Sequence, residues 1–171
     1  KQGRGSTERS TGQKGKSRSR KPAKRILWIP GLGADGRMYG PLIAALNRAM
    51  PGTWQHDLID FPTQDSLKGI HSLQSLSEKT LEHCIRPLQK DRTSRTVYYD
   101  TVVGVSMGGM MALKLAIDYP ERVEKVVAAN TAALIGQKAA WLERAGLVRT
   151  KGMSPVVSGA AGRWFTNQFV S

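Results

Sequence analysis

The stretch from Thr101 to Ile117 constrains this chain more tightly than any other. An apolar run, Thr101-Val102-Val103-Gly104-Val105, enters a G-x-S-x-G sequence centred on Ser106, and a run carrying Met110, Met111, Leu113, Leu115, Ala116 and Ile117 leaves it. That order predicts a strand, a sharp turn and a helix. A serine at the apex of such a turn has a strained backbone that lifts its oxygen above the strand ends, and side chains two residues to either side would collide there. Gly104 and Gly108 remove those side chains, and Gly109 lets the helix approach its neighbours closely. Ser106 is therefore read as a nucleophile. The backbone N–H of Met107, at the helix start, is placed to donate to a developing oxyanion, helped by the positive end of the helix dipole. A second donor is expected from the loop after the first strand, Pro30-Gly31-Leu32-Gly33, through the N–H of Leu32. Gly-rich turns of this kind also join strands to helices without any such role; the pairing with the Ser106 turn favours the oxyanion reading.

Around this centre the pattern alternates. Arg25–Pro30 is a short apolar run closed by the Gly-rich turn, as in a buried parallel strand, and Tyr39–Ala49 carries Leu42, Ile43, Leu46 and Ala49 at helical spacing before Pro51-Gly52. Trp54–Phe61 reads as a second strand ended by Pro62. Ser72–Leu88 reads as an amphipathic cover helix, with a capping box at Ser75-Leu76-Ser77-Glu78. Thr101–Val105 is the third strand, Met107–Asp118 a helix, and Val123–Ala129 the fourth strand. Strand–helix alternation implies an α/β class, with a mostly parallel sheet covered by helices on both faces.

Charge separates one end from the rest. The chain has 171 residues, with 26 Lys+Arg against 13 Asp+Glu, a net charge of +13. Much of the excess lies in residues 1–25, where Glu8 is the only acid and no large apolar side chain occurs. Such a segment cannot bury enough surface to order itself, so residues 1–24 are expected to be a basic disordered tail. A solvated tail is the simpler reading, and a polyanion-binding arm that would contact nucleic acid is the alternative. No run approaches the length of a membrane span and no signal-peptide apolar segment follows the basic start, so a soluble cytoplasmic protein is expected. Cys84 is the only cysteine, which excludes an intrachain disulfide and a thiolate metal cluster; it falls on the apolar side of the cover helix and is read as packing. No metal and no organic cofactor are called for.

From Tyr99-Asp100 through GVSMGGMMALKLAIDYPERVEKVVAANTAALIG, then AAWLERAGLVRTKGM and Arg163-Trp164-Phe165-Thr166, the chain resembles the α/β-hydrolase superfamily and, within it, the 3-oxoadipate enol-lactonases. The resemblance covers roughly the second half and includes the Tyr119-Pro120-Glu121-Arg122-Val123 turn and the Asn130-Thr131-Ala132-Ala133 segment. The first half departs from it: Asp57–Pro62 stands where such lactonases carry an Arg/Gly-rich turn, and Pro30 where many relatives have His. The resemblance implies a partial α/β-hydrolase fold, with residues 25–135 as an incomplete core and 136–171 as the start of a helical cap. Beneath that cap Trp141, Trp164 and Phe165 are candidate walls of a substrate pocket, or else packing anchors.

Superfamily members supply an acid and then a histidine after the serine. Here His56, His71 and His83 all precede Ser106, and each is read as surface or packing. Asp118, Glu121 and Glu124 follow it but surround a helix-to-strand turn, so no triad acid is assigned. The resemblance implies that the chain stops at Ser171 before the strands whose ends carry acid and base. It implies a small-molecule ester or lactone as substrate, hydrolysed through Ser106, with enol-lactone cleavage in aromatic catabolism as the specific expectation. An inactive hydrolase-like scaffold with a basic arm, and acyl transfer to an acceptor other than water, stay open.

Overall fold

The computed structural model describes residues 23–59, 72–85 and 98–170. The basic segment 1–22, His71 and the continuation of the cover helix past Ile85 lie outside the described residues, as do the side chains of residues 80–85, which include His83 and Cys84.

Four parallel strands form one sheet in the order β2-β1-β3-β4: β1 is Lys24–Ile29, β2 Trp54–Leu58, β3 Thr101–Val105 and β4 Val126–Ala129. β1 is central because its Ile26-Leu27-Trp28-Ile29 run is apolar on both sides of the pleat, which suits a strand covered on both faces. Its side chains alternate between two cores. Leu27 and Ile29 join Val102, Tyr99, Met111, Ala112, Leu115 and Leu76 on one face, whereas Ile26 and Trp28 join Val103 and Tyr39 on the other. The helices divide the same way. On the first face lie α2 (Leu73–Ile85) and α3 (Met107–Asp118). On the second, α1 (Gly40–Ala49) packs through Ile43 and Leu46, preceded by a 3₁₀ turn at Gly36–Tyr39.

Three local expectations need adjusting. Strand β4 begins at Val126 rather than Val123, because pairing starts as an isolated bridge between Tyr99 and Val123, in which Glu124 N–H donates to the Tyr99 carbonyl at 3.0 Å, and becomes a continuous ladder only once Val102 N–H donates to the Lys125 carbonyl at 2.8 Å. Strand β2 ends at Leu58; Ile59 still donates to the Trp28 carbonyl at 3.0 Å, and Asp60–Phe61 lie outside the described residues. The capping box sits one turn earlier than expected. Ser72 and Ser75 satisfy each other's backbone N–H through their hydroxyls at 3.1 Å, while Glu78 instead accepts from the Gln74 side chain at 2.8 Å.

After β4 the chain turns into short helices, α4 (Lys138–Lys151), α5 (Ser154–Ser158), α6 (Ala161–Trp164) and α7 (Asn167–Val170). None of the residues described in them is buried. Among the described residues β4 is an edge strand, with Val127 half exposed, and no helix is long and apolar enough to cross a membrane.

Candidate active site

β3 delivers Ser106 at the C-terminal edge of the sheet, and α3 begins at the next residue. Ser106 has φ 55° and ψ −119°, a backbone conformation rare for any residue with a Cβ. The glycines explain how the chain passes through it. A Cβ on Gly104 would lie 2.1 Å from the Gly108 carbonyl oxygen, and one on Gly108 would lie 2.2 Å from the Ile29 oxygen and 2.4 Å from that of Pro30. All are backbone atoms that cannot step aside. A Cβ on Gly109 would meet the Thr131 side chain at 2.7 Å. The turn is also hydrogen-bonded on both sides: Ser106 N–H donates to the Ala129 carbonyl at 3.0 Å, and the Ser106 carbonyl accepts from Gly109 N–H (2.9 Å), Met110 N–H (3.1 Å) and the Thr131 hydroxyl (2.7 Å). The Ser106 hydroxyl does not cap the helix.

Met107 is the first residue of α3, where a backbone N–H has no acceptor within the helix. The loop after β1 folds against the same turn. Ala34 N–H bonds back to the Gly31 carbonyl at 3.1 Å, and Gly33 supplies the φ of +82° that this tight turn requires. A Cβ on Gly31 would touch the Ser106 Cβ at 3.5 Å, so the Leu32 turn and Ser106 are neighbours. The far end of the loop is tied down by Tyr39. Its buried hydroxyl donates to the Ile29 carbonyl at 2.8 Å and its ring lies 4.8 Å from that of Trp28. Burial pushes the phenol up to about 12, with the Val105 backbone pulling the other way, so Tyr39 stays a neutral donor.

Leu32 and Gly33 also form one wall of an open cavity of about 570 Å³, lined elsewhere by α4–α6 through residues that include Trp141, Arg144, Arg149 and Trp164. Trp141 and Trp164 therefore share one cavity with the Leu32 turn. Ser106 and Met107 do not line it and meet it only by way of that turn. Phe165 stacks on Phe169 at 4.8 Å instead of lining it. The Trp141 indole N–H is occupied by the Ile135 carbonyl at 2.6 Å, leaving the ring as an apolar wall with the Arg144 guanidinium over it at 5.5 Å. Sequence reasoning missed Arg144, Arg149, Tyr39 and Thr131. Helical periodicity carries no information about which polar positions of α4 face a cavity.

His56 is placed by packing. Its Nδ1 accepts from the Trp28 indole at 3.1 Å and its Nε2 faces Asn47 Oδ1 at 3.1 Å, which together select the neutral ring protonated at Nε2. Burial holds its pKa below the usual histidine value, partly opposed by Asp57. Of the acids after Ser106, three are ion-paired: Asp118 with Lys114 at 2.6 Å, Glu121 with Arg122 at 3.3 Å, and Glu124 with Lys125. Among the described residues no cluster of three or more His, Cys, Asp or Glu side chains could hold a metal ion.

Residues 24–150 match the family model of the alpha/beta hydrolase fold. The chain is similar to two enol-lactonases of Acinetobacter baylyi. It is 51% identical over 70 residues to 3-oxoadipate enol-lactonase 2, covering 41% of this chain and 26% of that protein. It is 29% identical over 151 residues to 3-oxoadipate enol-lactonase 1, covering 86% of this chain and 52% of the relative. Among solved structures, the enol-lactonase from Burkholderia xenovorans LB400 superposes with a TM-score of 0.68 at 27% identity, over 86% of this chain and 53% of its own. The chain thus spans about half the length, or less, of the relatives it matches. The match across most of the sheet and α3, together with the glycine-framed Ser106 turn, establishes that this chain belongs to the α/β-hydrolase fold family.

Proposed function

We propose that this chain carries the nucleophile of a serine hydrolase acting on carboxylic esters or lactones, of the enol-lactonase kind. The observation that carries the proposal is the positive φ of Ser106 at the β3–α3 junction, a strain that persists in folds chiefly where a side chain must be presented for chemistry. In this reading Ser106 Oγ adds to the substrate carbonyl carbon, and its proton passes to a base. The oxyanion that forms accepts hydrogen bonds from the Met107 and Leu32 N–H groups. Collapse of the tetrahedral species breaks the acyl–oxygen bond, the leaving oxygen takes up the proton, and water then releases the acid from the serine ester. A lactone leaves as a tethered hydroxyl or enol, so ring opening and acylation are one event.

The cavity wall favours a substrate of a particular charge. Arg144 and Arg149 face an otherwise apolar space, and among the described residues neither is ion-paired. Guanidinium groups in that setting suit a carboxylate. An enol-lactone of a dicarboxylic acid retains one free carboxylate, so the named relatives' substrate class agrees with this wall. The base is not found in the sequence after Ser106, which contains no histidine there. The test is hydrolysis of 3-oxoadipate enol-lactone beside an uncharged lactone of equal size. Ser106-dependent opening that favours the carboxylate substrate supports the proposal. Equal rates for wild type and Ser106→Ala contradict it, and product appearing only when an alcohol or thiol acceptor is added identifies acyl transfer instead.

A further inference from the structure

We propose that Thr131 is a positioning residue that aims the oxyanion donor by clamping the Ser106 carbonyl. Its catalytic consequence rests on the reading of Ser106 as nucleophile; its holding role does not. Three donors converge on the Ser106 oxygen. Gly109 N–H and Met110 N–H belong to the first turn of α3 and would be supplied by any helix starting there, whereas the Thr131 hydroxyl, at 2.7 Å the shortest of the three, comes from beyond β4. The Ser106 carbonyl and the Met107 N–H are the two ends of one planar trans peptide, so fixing the oxygen fixes the opposite direction of the N–H. A hydroxyl 25 residues away thereby helps set where the Met107 N–H points.

Two further features seat Thr131 at that spot. Asn130 takes φ 46°, the other positive φ among the described non-glycine residues, and so turns the chain off the end of β4 toward the Ser106 turn. Gly109 leaves open the space that the threonine fills: a Cβ there would fall 2.7 Å from Thr131 Cγ2 and 2.8 Å from its Cβ. With Ala129 accepting from Ser106 N–H at 3.0 Å, the residues around the end of β4 grip both peptide groups that flank Ser106. Threonine combines two separable parts here, a methyl that packs on Gly109 and a hydroxyl that donates. Valine keeps the first and serine keeps the second.

The experiment compares Thr131→Val and Thr131→Ser with the wild-type chain by amide hydrogen exchange at Gly109 and Met110 and by the rate of fluorophosphonate labelling of Ser106. For Thr131→Val, exchange at those two amides should rise, and labelling should slow, by about tenfold, the ratio one lost hydrogen bond implies. The amides of Leu27 and Val102 should be unchanged. Thr131→Ser should stay near wild type in both. The proposal is overturned if Thr131→Val behaves as wild type, if Thr131→Ser is as damaging as Thr131→Val, or if exchange rises uniformly through the sheet. Should wild type label no faster than Ser106→Ala, the nucleophile reading fails, and exchange at Gly109 and Met110 still decides whether Thr131 holds the turn.

Discussion

The Ser106 turn and the helical segment that follows β4 are built on opposite principles. Around Ser106, backbone approaches backbone so closely that Gly104 and Gly108 admit no side chain, and the Leu27, Ile29, Met111 and Leu115 core behind it is sealed from solvent. In α4–α7 the large apolar residues stay partly in water: Leu142 is 61% exposed, Trp164 59% and Phe169 72%. One region is specified by backbone atoms that cannot move, the other by side chains that pack loosely and stay partly in water. Under the proposed function, this difference assigns chemistry to the turn and selectivity to the wall. A fixed turn can present a nucleophile with little variation, whereas a loosely packed wall can be altered without unfolding the sheet.

Substitutions can break this contrast. The largest effect is expected for Gly108→Ala, whose methyl would meet the Ile29 and Pro30 oxygens; urea unfolding should show a loss above ~4 kcal/mol or no cooperative transition at all. A loss below ~1 kcal/mol would mean that the turn is not packed as described. Next come paired truncations across the boundary. Leu115→Ala removes a fully buried side chain and should cost about 2 to 5 kcal/mol, while Leu142→Ala should change stability by no more than about 0.5 kcal/mol. Equal costs would erase the distinction. Within the cavity wall, Arg149→Ala should leave unfolding unchanged and raise KM for a carboxylate-bearing lactone about tenfold, or about 1.4 kcal/mol, with little effect on an uncharged one. An unchanged KM would separate the cavity from the substrate.

The smallest effect is a pH dependence from His56. Its folded-state pKa is lowered, so the unfolded chain binds this proton more readily. The stabilisation from neutral His56 is complete above the ordinary histidine value of about 6.5 and declines as pH falls through that region. The urea midpoint should therefore drop modestly from pH 7.5 to 5.5 in wild type and less in His56→Gln. Identical pH profiles would show that the Trp28–His56–Asn47 chain does not select the neutral ring.

Much of the first region was legible in the sequence because its constraints are local. The bounds of β3 and α3 follow from an apolar run, a glycine-spaced serine and a helical period, and the two-sided burial of β1 follows from Ile26-Leu27-Trp28-Ile29. Local capping was misread by one turn, since Ser72 and Ser75 offer side-chain oxygens to backbone N–H groups just as Ser75 and Glu78 would, and only the start of α2 decides between them. Thr131 was illegible for a different reason. Its partner lies 25 residues earlier, and the only trace of the contact in the sequence is Gly109, a third glycine that the turn itself does not need. Arg144 and Arg149 became meaningful once α5 and α6 folded back over α4, a consequence of tertiary packing that helical spacing does not encode.

The most direct test of Ser106 as the nucleophile is peptide mapping of the chain after exposure to a fluorophosphonate. The expected result is a slow modification confined to the Ser106 peptide and absent from Ser106→Ala. Modification spread over several serines, at the same rate in both proteins, would contradict it.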